Sequence, residues 1–199
     1  MSAFARFGVS SCATILVLQV IAVCEDAGPA NHKWDLGIWV AAATGEENTN
    51  SFSESQILSA GSFVGRIFNP HPANIWWRGS LEYGFSVSPL FFQVRPQHLY
   101  GIVFEPVILR WNSAHAFGRA TPYIELAGGG MRTNRNLPAG NTSDFNFAVS
   151  GGGGFYLGAK SNRAWDVSAH WAHISNANLG IQNPEFNGIE VRLAYHWYR

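Results

Sequence analysis

His173 and Ser175 stand two residues apart in the segment Trp171-Ala172-His173-Ile174-Ser175-Asn176-Ala177-Asn178. On a strand that spacing puts an imidazole and a hydroxyl on one face. A serine hydroxyl becomes a useful nucleophile when a base takes its proton, and histidine is the usual base. A carboxylate on the far ring nitrogen fixes the tautomer and stabilises the imidazolium. Glu185 and Glu190 follow closely enough in the chain to supply one. The chemistry of such a set is ester hydrolysis through an acyl-enzyme. The plainer reading of the same residues is a pair that caps a strand or bonds to a loop. The other histidines (His32, His71, His98, His115, His170 and His196) are scattered. None makes a His-x-x-x-His or carboxylate–histidine spacing of the kind that holds a metal.

The elements that must position this pair read as strands. After Trp34 no segment keeps a 3.6-residue apolar period, and runs of β-formers are separated by Asn, Pro, Gly and Ser clusters. The pattern predicts eight strands, at about 34–43, 60–68, 75–87, 99–111, 121–133, 144–160, 164–175 and 188–198. Trp165, Val167, Ala169 and Trp171 alternate with Asp166, Ser168, His170 and Ala172. In the last strand Ile189, Val191, Leu193, Tyr195 and Trp197 alternate with Glu190, Arg192, Ala194 and His196. Such a sheet fits a soluble lipocalin-like barrel with a dry core or a membrane barrel with a dry outside. Three features favour the membrane. The count is even, the polar face is rich in small residues, and the connections after strands one, three, five and seven read as mostly the longer set. Aromatics near strand ends, including Trp76, Trp77, Tyr100 and Trp197, would form interfacial girdles. Gly128 to Gly130 and Gly151 to Gly154 read as sites of tight curvature, since no Lys-Ser/Thr follows them as in a phosphate loop. Asp166, Arg192 and Glu125 are expected to pair inside the lumen.

Composition bounds the function. The chain of 199 residues carries 13 Lys+Arg against 13 Asp+Glu, a formal charge of zero, which excludes a nucleic-acid binder built on a basic face. With 47% apolar and 14% aromatic residues it is not a disordered chain. At the N-terminus, Arg6 precedes an apolar run from Cys12 to Cys24 and then small residues. That run is short for a membrane span and reads as a signal peptide over residues 1–30, leaving 31–199 as one cysteine-free domain. On this reading the odd-position face of the seventh strand, bearing His173 and Ser175, is the lipid side. A polar pair there has no core reason to exist.

His173-Ile174-Ser175-Asn176-Ala177, a short loop, and then Asn187-Gly188-Ile189-Glu190 resemble the lipid A 3-O-deacylase family of acyloxyacyl-hydrolase-like outer-membrane esterases. The likeness extends to the export signal, the chain length and the motif's place near the C-terminus. It implies an all-β, eight-stranded antiparallel transmembrane barrel in the bacterial outer membrane. The implied activity removes the 3-O-linked acyl chain of lipid A in lipopolysaccharide as a 3-hydroxy fatty acid, with neither metal nor cofactor. Carried over, Ser175 is the nucleophile, His173 the base, Glu190 the group that orients it, and Asn176 an oxyanion donor, shared with backbone N–H groups of residues 177–180. Simple alternation puts Glu190 on the polar face, so either a bulge re-aims it or Glu185 takes its place. Arg132 and Arg135 are candidates to meet lipid phosphates. The expected partner is lipid A within the membrane, with no nucleic acid and a homodimer left open. The competing function is a non-catalytic barrel of adhesin or structural type.

Overall fold

Eight antiparallel strands close on themselves in chain order: β1 (Trp34–Gly45), β2 (Gln56–Phe68), β3 (Gly79–Arg95), β4 (Leu99–Ser113), β5 (Ala120–Leu137), β6 (Ser143–Leu157), β7 (Arg163–Ser175) and β8 (Phe186–Tyr198). The computed structural model describes residues 29, 32–45, 55–68, 78–95, 98–137, 142–158 and 162–199, with backbone alone at 90 and 92–95. The sheet closes where β1 pairs with β8, from Asp35 opposite Tyr198 to Gly45 opposite Gly188. Closure leaves every strand with two neighbours and no open edge. The signal-peptide reading and the tryptophans at 76 and 77 lie outside the described residues.

Alternation sorts the side chains. On β7, Ala164, Asp166, Ser168 and His170 are buried, while Trp165, Val167 and Trp171 are exposed. On β8, Arg192, Ala194, His196 and Tyr198 are buried and Ile189, Val191 and Leu193 are exposed. The exposed set includes Ile124, Leu126, Phe104, Phe155 and Ile38 from other strands, so the apolar residues form the outside. This is the pattern of a lipid-facing wall around a polar interior.

The strand that departs furthest from expectation is β3. Its reading as 75–87 ends where Ser88-Pro89 interrupts the alternation, yet the strand begins at Gly79 and runs on to Arg95. Pro89 sits at a shift in register between Ser88 and Phe91 against β4. A second shift lies between Phe104 and Val107 of β4, around Pro106. Proline cannot donate to a ladder and is accommodated at bulges. Each bulge exchanges the inward and outward positions beyond it: Ser86 and Ser88 are buried before the first, Phe91 after it. The connections do not alternate in length as expected: 69–78 is as long as 46–55, and 96–98 is the shortest of all.

The lumen is filled. Arg110 lies at its centre, bonded to Glu125 and Tyr156, close to Asp35 (3.4 Å) and Glu82 (3.7 Å), and held between the rings of Phe63 and Tyr123. Arg192 joins Glu125 (3.2 Å) to Glu190 (2.8 Å) over the face of Trp39. His196 bonds Asp35 (2.8 Å), and Asp166 accepts from Tyr123 (2.9 Å). The expected pair of Arg192 and Glu125 forms, whereas Asp166 finds Tyr123 and His196 instead. Near the chain ends Tyr123, Tyr156, Tyr198, Ile67 and Ala164 pack together. At the opposite end the lumen turns apolar, with Ile57, Phe91, Leu99, Met131, Leu137, Ile174 and Phe186 in one cluster. Gly154 lets β6 approach β7 closely: a Cβ there would lie 2.5 Å from the Ser168 side chain.

Candidate active site

β7 delivers the expected pair. Ile174 is buried in the apolar cluster of the lumen, so its neighbours His173 and Ser175 point the other way, to the outside. His173 Nε2 is 3.1 Å from Ser175 Oγ. Its ring stacks on exposed Trp171, centroids 5.8 Å apart and planes inclined by 16°. Both residues sit at the end of β7 remote from the chain termini, beside Val149 and Phe147 of β6, their outward-facing neighbours.

The second ring nitrogen meets an amide rather than a carboxylate. His173 Nδ1 is 2.8 Å from Asn187 Oδ1. The reason is register: His173 and Asn187 are directly opposed across β7 and β8, on the same face. Opposed residues of an antiparallel pair bring their Cβ atoms within about 5.5 Å. With the amide oxygen facing the ring, Nδ1 carries the proton and donates it, which leaves the Nε2 lone pair for the serine hydroxyl. That is the tautomer a general base requires.

Glu190 is not brought to this pair. It lies on the lumen face of β8, where Arg192 bonds it at 2.8 Å and His170 stands 3.9 Å away. No bulge interrupts the β7–β8 ladder to re-aim it, as the register runs unbroken from Arg163–Trp197 to Ile174–Phe186. Glu185 precedes β8, and with Ser175 and Asn187 on its two nitrogens His173 has none left for it. Asn187 escapes a sequence reading that starts the eighth strand at Gly188. The outward positions Val191 and Ile189, continued back by one more step of two, reach Asn187, so the signal is present in the pattern.

Asn176 also has another task than the one expected. Its amide donates to the Gln182 carbonyl (2.8 Å), and its backbone N–H donates to Asn183 Oδ1 (2.8 Å). Leu179 N–H returns to the Asn176 carbonyl at 3.0 Å. The residue is buried and pins the 176–185 connection to itself. Ala177 (φ 50°) and Asn178 (φ 64°) are held in the left-handed region. For an alanine that costs roughly 1–2 kcal/mol, which these bonds must offset. Gly180 abuts the backbone of Thr142, where a Cβ would be 2.8 Å from the carbonyl carbon, so this connection also leans on the start of β6. Arg132 is exposed and 3.4 Å from Asp144; Arg135 is exposed near the same rim. Among the described residues no group of three or more His, Cys, Asp or Glu could hold a metal ion.

The arrangement is an outward-facing Ser–His pair on a membrane barrel, and comparison with known proteins gives it a family. The crystal structure of the outer membrane enzyme PagL aligns with a TM-score of 0.55 at 18% identity, over 83% of this chain and 99% of that one. Neisserial surface protein A aligns with a TM-score of 0.56 at 11% identity, over 88% of this chain and 100% of that one. At these identities the likenesses concern the fold. No curated protein sequence matches the chain. The model of the lipid A 3-O-deacylase (PagL) family matches residues 28–196, which leaves the non-catalytic reading the less supported one. The chain therefore belongs to the lipid A 3-O-deacylase (PagL) family and is an outer-membrane β-barrel hydrolase of lipid A.

Proposed function

We propose that Ser175 is the nucleophile, His173 the general base and Asn187 the group that orients the base, in hydrolysis of the 3-O-linked acyl ester of lipid A. The observation that carries this is the chain of contacts Ser175–His173–Asn187, at 3.1 Å and 2.8 Å, on the lipid-facing side of the barrel. A Cys-His-Asn set serves papain-like proteases in the same way, so an amide can stand where a carboxylate often does.

Ser175 Oγ attacks the acyl carbonyl while His173 Nε2 takes its proton. The C–O bond to the sugar breaks as His173 returns that proton to the departing oxygen. Water, deprotonated by the same nitrogen, then cleaves the acyl-enzyme and frees the 3-hydroxy fatty acid. Asn187 cannot neutralise the imidazolium formed in each step. The face of Trp171, stacked on the ring, supplies π-electron density that favours it. The Asn176 side chain is buried and bonded to Gln182, and the Leu179 N–H is taken by the Asn176 carbonyl, so we assign the oxyanion to backbone N–H groups among residues 177, 178 and 180. Every group named comes from one chain, so the mechanism needs no dimer.

Ser175→Ala is expected to abolish fatty-acid release from lipid A while the barrel still inserts, followed by mass spectrometry of the lipid. Full release by that variant overturns the assignment.

A further inference from the structure

We propose that the end of the barrel opposite the catalytic pair holds an anionic glycerophospholipid of the inner leaflet. The proposal rests on the family placement only for orientation: with Ser175 at the leaflet that contains lipid A, the end bearing the chain termini lies at the other leaflet.

Two independent features meet there. One is an external groove of about 560 Å³ between β7, β8 and β1, walled by Ile38, Val40, Trp165, Leu193, Tyr195 and Trp197. Trp165 packs edge-on to Tyr195, and Tyr195 to Trp197, giving rigid aromatic walls with centroids 4.9 Å and 4.8 Å apart. A groove of this size and lining accepts an acyl chain.

The other feature is charge. Lys33, Arg163 and Arg199 are exposed at the groove's mouth. Arg163 is the cross-strand partner of Trp197, and the Lys33 backbone N–H donates to the Arg199 carbonyl at 2.8 Å. Next along the rim Arg66 lies over the ring of Trp34, 4.8 Å from its centroid. Among the described residues no Asp or Glu side chain is exposed on this rim. Asp35 and Asp166 are buried inside, and the connections 69–78, 114–119 and 158–162 contain no Asp or Glu. At the catalytic end carboxylates do stand on the rim, Asp144 and Glu185, beside Arg132 and Arg135. The neutral total thus hides a rim at the terminus end whose exposed charges, among the described residues, are all cationic. A phosphodiester without a compensating ammonium, as in phosphatidylglycerol, matches the cationic rim better than a zwitterionic headgroup does. Aromatic residues at headgroup level fix the depth of such a contact.

The test is native mass spectrometry of the full-length protein in detergent, with equimolar phosphatidylglycerol and phosphatidylethanolamine added. The expected result is several-fold greater retention of phosphatidylglycerol, fading as ionic strength rises. The combined variant Lys33→Gln, Arg163→Gln and Arg199→Gln should lose the preference. Trp197→Ala should lose retention of both lipids. Deacylase activity, measured on the same samples, should stay at the wild-type level in both variants, which separates this site from the catalytic one. Equal retention of the two lipids by the wild-type protein overturns the proposal, as does an unchanged preference in the triple variant. A dimer mass that Trp197→Ala abolishes overturns it as well, by assigning the groove to a second copy.

Discussion

Replacing Asn187 separates the two possible partners of His173. In Asn187→Leu the imidazole loses its 2.8 Å acceptor, and with it the bias toward the tautomer that presents Nε2 to Ser175. The bond to a neutral ring is worth about 0.5–1.5 kcal/mol, and to a charged one about 1.5–3 kcal/mol. The increment arises as the ring becomes imidazolium, so about 1–2 kcal/mol is felt in the transition state alone. That is roughly 5- to 30-fold in kcat. Loss of ring orientation adds to it, and the whole effect is expected at about 10- to 100-fold. Asn187→Asp restores the bond with a charge. At an effective dielectric of about 20 and about 4 Å, the attraction to an imidazolium is on the order of 4 kcal/mol before desolvation is subtracted. This variant should hold wild-type kcat or exceed it. Glu190→Gln, by contrast, changes a lumen contact with Arg192 and should leave kcat within about threefold, a shift that lost packing alone can produce. The assay is release of 3-hydroxy fatty acid from lipid A in mixed micelles, read by mass spectrometry. If Asn187→Leu keeps wild-type kcat while Glu190→Gln falls as far as Ser175→Ala, the orienting group is the glutamate and the role given to Asn187 is wrong.

Asn176→Ala removes the bond to Gln182 and frees a connection that holds two left-handed residues, so activity should fall while the temperature of barrel unfolding on a heat-modifiability gel stays nearly unchanged. Trp171→Ala removes the stack on His173, worth about 0.5–1.5 kcal/mol, and should lower kcat by roughly 2- to 13-fold, with Trp171→Phe recovering part of it. Arg110→Met leaves Glu125, Glu82 and Asp35 without their shared cation. A loss of about 3–5 kcal/mol is expected, seen as a lower gel-shift temperature. Gly154→Val places branched carbon against Ser168 and should prevent β6 from seating on β7, read as failure to recover folded protein from inclusion bodies.

The barrel was legible because alternation is a direct imprint of a two-sided sheet, and it is clearest on β7 and β8, where no bulge disturbs it. It failed at β3, where Pro89 exchanges the faces within the strand and a shift of one residue inverts the pattern, whereas β4 was read through the same kind of shift at Pro106. The His173–Ser175 pair was legible for the same reason as the strand that bears it. Glu190 owed its place to its nearness along the hairpin and to the resemblance of a motif, against the alternation that put it inside; the register follows the alternation. The apolar cap at the catalytic end of the lumen was not legible, because Ile57, Phe91, Leu99 and Met131 come from four different strands whose relative stagger no local pattern reveals.

The outward display of Ser175 and His173 changes what a rate law for this protein must contain. Its substrate is confined to a sheet one molecule thick and arrives by sliding sideways, so molarity in the aqueous phase is not the governing variable. The mole fraction of substrate among neighbouring amphiphiles is, and inert detergent or lipid should slow turnover by dilution within the surface without occupying the enzyme. The plugged interior offers the freed fatty acid no route through the wall, so it leaves into the same sheet it came from.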